Sequence, residues 1–512
     1  ETGDPPLTGG LPSDLKFSPC GEFVCYRRAA EDDRERMDLW RVNLNTGEHE
    51  EWINARLLQG ERINIAELTD AERAERERRR QFNHGFTEFS WHPNREVLLA
   101  PINGQALLID VAESALNTAT MTPADQRQSA FQISPDGRWL SFVHNGNLFT
   151  QSLNPDDPLV KSSDQPLQIT SDANATLSNG LPDFLAAEEM HRFRGHWFCP
   201  NSRYLVYCKV DESTVAVSYR LEMQADGAQT IQQRYPYAGA DNPRVSLWVF
   251  DLQSSSNWRI WQDSTEVDSE DVYLARVQVK ADSVYIQTQD RRQQCLTLKR
   301  LALQDSEASW QLLHKESSAS WINLNDDLTV LDQNRIVISS ESSGTNQLYL
   351  LDGQGKCAPL PCPTHINAIR HAGDEHIFVS GWHETPIENH LFKIALNGDP
   401  WRQLTTQEGW HDVVLAPDAS TFIDRHSHES QPPSICFRDV EGGMSKVLWA
   451  EKFSAEHPYH PFLPAHATAE FGSVTATDGQ QVFYRLTPPA EINGLHATIV
   501  YVYGGPGPQK AK

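Results

Sequence analysis

Short runs of alternating hydrophobic and polar residues recur along most of the chain, and each run leads into the same kind of turn. The turn contains proline and a small polar residue or glycine, and a second hydrophobic run follows it. Proline presets φ for a turn, Asp, Asn or Gly tolerates the next position, and the alternation is typical of strands with one buried face. The clearest copies are LKFSPCGEFVCYRR from Leu15, EFSWHPNREVLLAP from Glu88, AFQISPDGRWLSFV from Ala130, HWFCPNSRYLVYCK from His196 and VVLAPDASTFIDRH from Val413.

The number of these repeats predicts the fold class. Less regular segments around 272–303, 328–355 and 367–399 bring the total to about eight sheets, a number that suits a propeller. We therefore predict an all-β chain whose residues 1–460 form a β-propeller of about eight blades. A β-sandwich is the structural alternative, but it would not repeat one turn over about 400 residues.

Two segments interrupt the repeat. The first, IAELTDAERAERERRRQF, has no β pattern, places Thr69 and Glu72 at capping-box spacing and continues with strong helix formers. It predicts an inserted helix over 65–82. The second, over 219–245, reads as a long polar hairpin with Asp-Gly at its tip, which predicts an arm projecting from a blade.

The pattern changes again after about residue 460. Two strands flank a TDGQ turn, a loop with two prolines follows, and the apolar run ATIVYVY ends in Gly-Gly-Pro-Gly. This order predicts the first strands of a buried α/β sheet over 461–512, too few to cover their own faces.

Composition and charge exclude several classes of protein. With 39% hydrophobic and 22% charged residues the chain resembles an ordinary soluble protein, and no run approaches the ~18 apolar residues of a membrane span. The formal net charge of -25 disfavours nucleic-acid binding. The eight cysteines fit no zinc spacing, and we expect most of them to be buried thiols, although an exporting cell could join Cys357 and Cys362. We expect no metal and no cofactor.

Three motifs carry a resemblance to a known family. They are AAEEMHRFRGHWFCP around Glu188 and Glu189, RYPYAGADNPRV from Arg234, and VYGGPGPQKAK from Val502. In order and spacing the chain resembles the dipeptidyl peptidase IV-like members of the prolyl oligopeptidase family over essentially its whole length. The resemblance implies an eight-bladed propeller that caps an α/β-hydrolase domain, in a serine exopeptidase that releases N-terminal Xaa-Pro or Xaa-Ala dipeptides.

The resemblance also implies roles for single residues. Glu188 and Glu189 would bind the free amine of the substrate by charge-assisted hydrogen bonds. Arg80 would hold the carbonyl oxygen of the first substrate residue, with Arg76 or Arg79 as replacements. Tyr503 matches the tyrosine that donates to the oxyanion of the tetrahedral intermediate. Outside this context a Glu-Glu pair is an ordinary solvated helix face, and the arginines would pair with glutamates along a charged helix.

One departure limits what the chain can do by itself. No G-x-S-x-G nucleophile elbow occurs in the 512 residues, and the family's catalytic Asp and His would lie further downstream. We therefore expect this chain to lack the triad and to be inactive alone, and the complete protein to be a serine-type dipeptidyl peptidase. The resemblance further implies a homodimer, formed through the arm 219–245 and the hydrolase domain, and a periplasmic or secreted protein of bacterial origin.

Two other functions remain open at this stage. A propeller could act as a binding or scaffold module without catalysis, or the protein could be an oligopeptidase of the same clan, which needs no amine anchor. The adjacent Glu188 and Glu189 argue against both. We interpret His426 and His428 as inter-strand polar contacts rather than metal ligands, and the tryptophans at repeating blade positions as core packing.

Overall fold

The structure is a computed structural model, and it describes most of the chain. The described residues are 11–59, 76, 81, 83–102, 104–110, 117–120, 128–153, 166–224, 227–263, 272–304, 308–429, 431–443, 445–489, 491, 493–503 and 510–511. Within them the helices are short: Ala55–Gln59, Phe184–Glu188, and the 3-10 turns Asp332–Asn334 and His460–Ala465.

Antiparallel strands make up nearly all the regular structure, and the predicted fold class is confirmed. The described residues form eight sheets of four or more strands, the blade series of an eight-bladed β-propeller, which we number in chain order.

Blade 1 is β1 (Ser13–Phe17), β2 (Phe23–Ala29), β3 (Arg36–Asn43) and β4 (His49–Ile53). After the short strand β5 (His84–Gly85), blade 2 is β6 (Ser90–Trp91), β7 (Val97–Ile102), β8 (Gln105–Asp110) and β9 (Asn117–Thr120). Blade 3 is β10 (Ser129–Ile133), β11 (Trp139–His144), β12 (Asn147–Ser152) and β13 (Leu167–Gln168). Blade 4 opens with β14 (Leu177–Asn179), β15 (His196–Phe198) and β16 (Tyr204–Asp211). The separate hairpin β17 (Val217–Gln224) and β18 (Gly227–Arg234) comes next, and β19 (Arg244–Asp251) and β20 (Ser256–Gln262) complete blade 4.

Blades 5 to 8 are regular four-stranded sheets. Blade 5 is β21 (Val272–Lys280), β22 (Ser283–Asp290), β23 (Cys295–Ala302) and β24 (Gln311–Ser317). Blade 6 is β25 (Thr329–Val330), β26 (Ile336–Ser340), β27 (Gln347–Leu351) and β28 (Cys357–Pro359). Blade 7 is β29 (His365–Ala372), β30 (His376–Trp382), β31 (His390–Ala395) and β32 (Arg402–Gln403). Blade 8 is β33 (Trp410–Leu415), β34 (Thr421–His428), β35 (Gln431–Asp439) and β36 (Ser445–Ala450), and the hairpin β37 (Glu470–Thr475) and β38 (Gln481–Leu486) follows.

The chain forms two compact units, one of residues 1–54 with 325–512 and the other of residues 55–324. In the first unit the first and last blades pack face to face, with Val24 and Tyr26 of blade 1 in one buried cluster with Ile423 and Ile435 of blade 8. The His49 ring also joins these blades: Nε2 donates to the Leu448 carbonyl at 2.7 Å. In the second unit, buried side chains join blade 3 to blade 4 and blade 4 to blade 5.

The five recurring turns share one hydrogen-bond pattern. In each, the first turn residue donates its backbone N–H to the carbonyl five residues later, at 2.8 to 2.9 Å. The bonds join Ser18 to Phe23, His92 to Val97, Ser134 to Trp139, Cys199 to Tyr204 and Ala416 to Thr421. Each turn therefore connects two hydrogen-bonded antiparallel strands of its blade, as the repeat predicts.

The helix predicted over 65–82 and the strand predicted for ATIVYVY are not confirmed. The helix predicted over 65–82 lies, apart from residues 76 and 81, outside the described residues. The strand predicted for ATIVYVY is not formed: 497–503 has no strand, and Ile499 is 95% and Val502 74% exposed. A strand needs neighbouring strands for its backbone hydrogen bonds, and the described residues supply none here. The α/β-hydrolase assignment of 461–512 therefore stays a prediction.

The blade 3 turn leads to a stability prediction. Gly137 has φ +76, and a Cβ there would overlap the imidazole of His92, which is 3% exposed and hydrogen-bonded to the Gly137 carbonyl at 3.1 Å. Gly21 has φ +73 in the equivalent blade 1 turn, but a Cβ there meets nothing within 4 Å. Both Gly→Ala changes strain the backbone by about 1–2 kcal/mol, and only Gly137→Ala adds overpacking of about 1–3 kcal/mol.

We expect Gly137→Ala to lower the free energy of unfolding clearly more than Gly21→Ala. Urea unfolding followed by tryptophan fluorescence measures the difference. Equal effects of the two changes would contradict the contact with His92.

Candidate functional site

The glutamate pair lies on the loop that joins β14 to β15 in blade 4. The loop contains the short helix Phe184–Glu188, which begins because the Asp183 side chain accepts a hydrogen bond from the Ala186 N–H at 3.0 Å. Glu188 is its last residue and Glu189 follows with helical φ and ψ. The two carboxylates are therefore carried by the end of a single helical turn.

A buried ion pair fixes this turn to the blade. Asp183 uses its second carboxylate oxygen to accept from Arg192 Nη2 at 3.1 Å, and both side chains are almost fully buried. The same guanidinium donates to the carbonyls of Leu274 in blade 5, at 3.2 Å, and Arg194, at 2.9 Å. Loss of one partner from such a pair costs about 3–5 kcal/mol, since the other charge is left buried.

Buried contacts also fix the end of the helix. His191 has a left-handed conformation with φ +54, and Arg192 donates its N–H back to the Ala186 carbonyl at 2.8 Å. Met190 is 5% exposed, and its carbonyl accepts from Arg276 Nη1 at 2.7 Å. The backbone that carries the glutamates is thus held at both ends by buried contacts.

The glutamate side chains themselves remain available. Glu188 is half-buried and Glu189 is exposed, and neither carboxylate has a hydrogen-bond or ion-pair partner within the described part of the chain. Two adjacent carboxylates without a cation, on a rigid support, can accept several hydrogen bonds from an ammonium group. An ammonium group is one cation that this arrangement can bind.

A buried histidine, His196, joins the start of this loop to blade 3. His196 Nδ1 donates to the Gly180 carbonyl at 2.9 Å, and Nε2 accepts from the Ser141 hydroxyl of blade 3 at 2.9 Å. Both ring nitrogens are satisfied when the ring is neutral. Burial lowers the pKa of His196 to about 4.

The other predicted site residues are not joined to this loop by any described contact. Arg80, like Arg79, lies outside the described residues, and the Arg76 guanidinium donates to the Asn83 carbonyl. Tyr503 is 54% exposed, with Lys510 Nζ 5.5 Å from the centre of its ring. The roles of Arg80 and Tyr503 stay predictions.

The histidines and cysteines that the sequence analysis interpreted as structural have no metal site around them in the described part of the chain. His426 Nε2 donates to the Glu408 carbonyl at 2.8 Å, and His428 lies 3.9 Å from the Glu408 carboxylate. Across the described ranges, no group of three or more His, Cys, Asp or Glu side chains is placed to hold a metal ion. Four of the eight cysteines are buried, and Cys357 and Cys362 are free thiols.

Sequence reasoning missed the residues that hold the site. The order Pro-Asp before a run of helix formers is an N-cap signal, and it could have identified Asp183. No local signal identifies Arg192, because the carboxylate that it pairs with lies nine residues away and the blade 5 carbonyl that it reaches lies 82 residues away.

Among the described residues, no helix is long and apolar enough to cross a membrane.

Comparison with known proteins shows which proteins this chain is similar to. The family described as the dipeptidyl peptidase IV (DPP IV) N-terminal region matches residues 95–433, which include the glutamate loop and the arm. Dipeptidyl peptidase 8 of Homo sapiens is 21% identical over 456 residues, covering 72% of this chain and 50% of that protein. Dipeptidyl peptidase 8 of Mus musculus is 20% identical over 532 residues, covering 84% and 58%. The chain thus spans little more than half the length of these curated relatives.

A solved structure shows the same fold. The crystal structure of Porphyromonas gingivalis dipeptidyl peptidase 4 superposes with a TM-score of 0.71 at 17% identity, covering 95% of this chain and 66% of that one.

The pKa of His196 predicts how stability depends on pH. Because the folded-state value of about 4 lies below the ordinary 6.5, the unfolded state takes up the proton first. The stabilisation that comes from keeping His196 neutral is therefore fully present above pH 6.5. It is lost as the pH falls towards 4, which lowers the free energy of unfolding by about 2–3 kcal/mol.

Replacement of His196 by Gln should remove this part of the loss between pH 7 and 4.5. His191→Gln, the same change at an exposed position of the same loop, should keep it. Denaturant unfolding at several pH values measures both, and an identical pH profile for the wild type and His196→Gln would exclude His196 as the source.

Proposed function

Since this chain belongs to the dipeptidyl peptidase IV N-terminal region family, we propose that it is the propeller portion of a serine exopeptidase that releases N-terminal dipeptides. Its part in the reaction is to bind the free amine of a peptide substrate. The observation that carries the proposal is the unengaged pair Glu188 and Glu189 on a rigid turn. Peptides with Pro or Ala as second residue are the proposed substrates.

Recognition of the amine explains how an exopeptidase could count residues. An ammonium group held by two carboxylates places the following peptide bonds at set distances from the anchor. The anchor must not move, and the buried Asp183–Arg192 pair supplies the required rigidity. Neither a scaffold module nor an oligopeptidase that accepts internal bonds has a need for such an anchor.

Attack and proton transfer belong to other residues. In the complete protein a serine, a histidine and an aspartate of the hydrolase domain would act, with Tyr503 donating to the oxyanion. Arg80 would hold the first carbonyl oxygen of the substrate by its guanidinium. The 512-residue chain would bind a peptide without cleaving it.

Binding of matched peptides tests the amine anchor. The 512-residue chain should bind a Gly-Pro peptide with a free N-terminus more tightly than its N-acetylated form, because acetylation removes the charge. Glu188→Gln or Glu189→Gln should weaken binding of the free amine about 10- to 100-fold, the value of one charge-assisted hydrogen bond, and leave the acetylated peptide unaffected. Isothermal titration calorimetry measures both affinities.

Glu384→Gln is the matched control, since it removes the same charge from an exposed glutamate of blade 7. If Glu384→Gln weakened binding as much as Glu188→Gln, the weakening would come from the change in net charge, and the proposal that Glu188 and Glu189 bind the amine would be wrong.

We also propose that the arm mediates a homodimer. On β17 the side chains of Tyr219, Leu221 and Met223 alternate along one face and are 68%, 64% and 75% exposed. A two-stranded hairpin is marginal by itself, so an apolar face of this kind favours coverage by a second copy of the chain.

Leu221→Lys should shift the chain to monomer in sedimentation experiments, because it places a charge in the apolar face. Gln229→Lys, which adds the same charge to the opposite face of the hairpin, should leave the oligomeric state unchanged. If the wild type and Leu221→Lys sedimented equally at all concentrations, the arm would not be part of a dimer interface.

A further inference from the structure

The residues that follow β18, at the base of the arm, contact the helix Phe184–Glu188. Where β18 ends, the Tyr235 N–H donates to the Ala216 carbonyl at 3.0 Å, and Arg234 Nη1 donates to the Val215 carbonyl at 2.6 Å. These two bonds close the base of the hairpin and fix the direction in which the Tyr235 side chain leaves it.

Three aromatic rings then connect the arm with the helix. The Tyr235 ring meets the Phe184 ring edge to face, with centroids 5.3 Å apart, and it meets the Tyr237 ring at 4.9 Å. The Tyr237 hydroxyl lies 2.7 Å from the Ser218 hydroxyl on β17. Phe184 is the first residue of the helix, so the series runs without a gap from β17 to the turn that carries the glutamates.

The position of Phe184 makes this contact relevant to the carboxylates. Residues four apart lie on the same face of a helix, so Phe184 and Glu188 share one face. The opposite face is anchored by Ala186, which is buried. A helix of five residues has little stability of its own and takes its orientation from what surrounds it.

We infer that Tyr235 is a positioning residue for the glutamate pair. Its ring holds Phe184 and thereby sets the rotation of the turn that presents Glu188. The inference rests on the proposed function, because it concerns how the same amine anchor is aimed. The arm would then contribute to substrate affinity as well as to association of two chains.

The test compares two substitutions at one position. Tyr235→Ala removes the ring, whereas Tyr235→Phe keeps its contact with Phe184. The readout is the ratio of the dissociation constants of the N-acetylated and free-amine Gly-Pro peptides. We expect Tyr235→Ala to lower this ratio about 3- to 10-fold, the usual value of an aromatic pair, and Tyr235→Phe to retain it. A purely structural role would change the unfolding temperature without changing the ratio.

A double-mutant cycle provides the second test, for use also if Tyr235→Ala does not fold. Phe184→Leu and Tyr235→Leu keep apolar volume and should each lower the ratio, and the double variant should lower it no further, because both remove the same contact. Additive effects, or an unchanged ratio in the single variants, would overturn the inference.

The two proposals fail in different ways. If Glu188→Gln leaves the ratio unchanged, the amine anchor itself is wrong and the positioning role falls with it. If Glu188→Gln lowers the ratio and Tyr235→Ala, or the Leu cycle in its place, does not, only the positioning role is wrong.

Discussion

The structure depends on one constraint: each blade has strands whose hydrophobic faces are buried only when another blade packs against them. The contact of blade 1 with blade 8 shows the constraint most directly, because it joins the two ends of the repeat. The His49 ring and the Leu448 carbonyl that it contacts are 399 residues apart in sequence. Tyr26, fully buried in the same cluster, donates its hydroxyl to the other nitrogen of that ring at 2.7 Å. Long-range burial of this kind gives a rigid support from which loops can carry function.

The glutamate loop uses that support in two ways. Its backbone is held by charge, through the Asp183–Arg192 pair, and by packing of small side chains into the blade. A buried ion pair adds little net stability compared with apolar packing, but its two groups are held together because separating them would leave a buried charge without a partner. Specific placement is what two carboxylates need if they are to select an ammonium group, because the attraction between charges falls with distance and has no preferred direction of its own. The aromatic contact between Phe184 and Tyr235 adds a third point of support on the helix face that carries Glu188.

Local patterns predicted the parts of the molecule that local physics controls. The Ser-Pro-Asp-Gly-like turns appear in the structure with a common hydrogen bond, because proline and residues that tolerate positive φ favour that turn wherever it occurs. The apolar run before Tyr503 shows the limit of such reasoning. Its composition predicts a strand, but hydrophobic side chains cannot supply the backbone hydrogen bonds that a strand requires, and the described residues around it offer none.

The amino-acid pattern alone predicts a β-sheet unit that recurs about eight times, and it places a Glu-Glu pair shortly before the HWFCP strand of one repeat. The three-dimensional structure was needed to find that these carboxylates lack partners among the described residues, that Arg192 holds their turn and that Tyr235 contacts it. The difference follows from the distance along the chain between the residues in contact. Turn and strand preferences act between residues a few positions apart, whereas Arg192 reaches a carbonyl 82 residues away and Phe184 meets a ring from beyond an intervening hairpin.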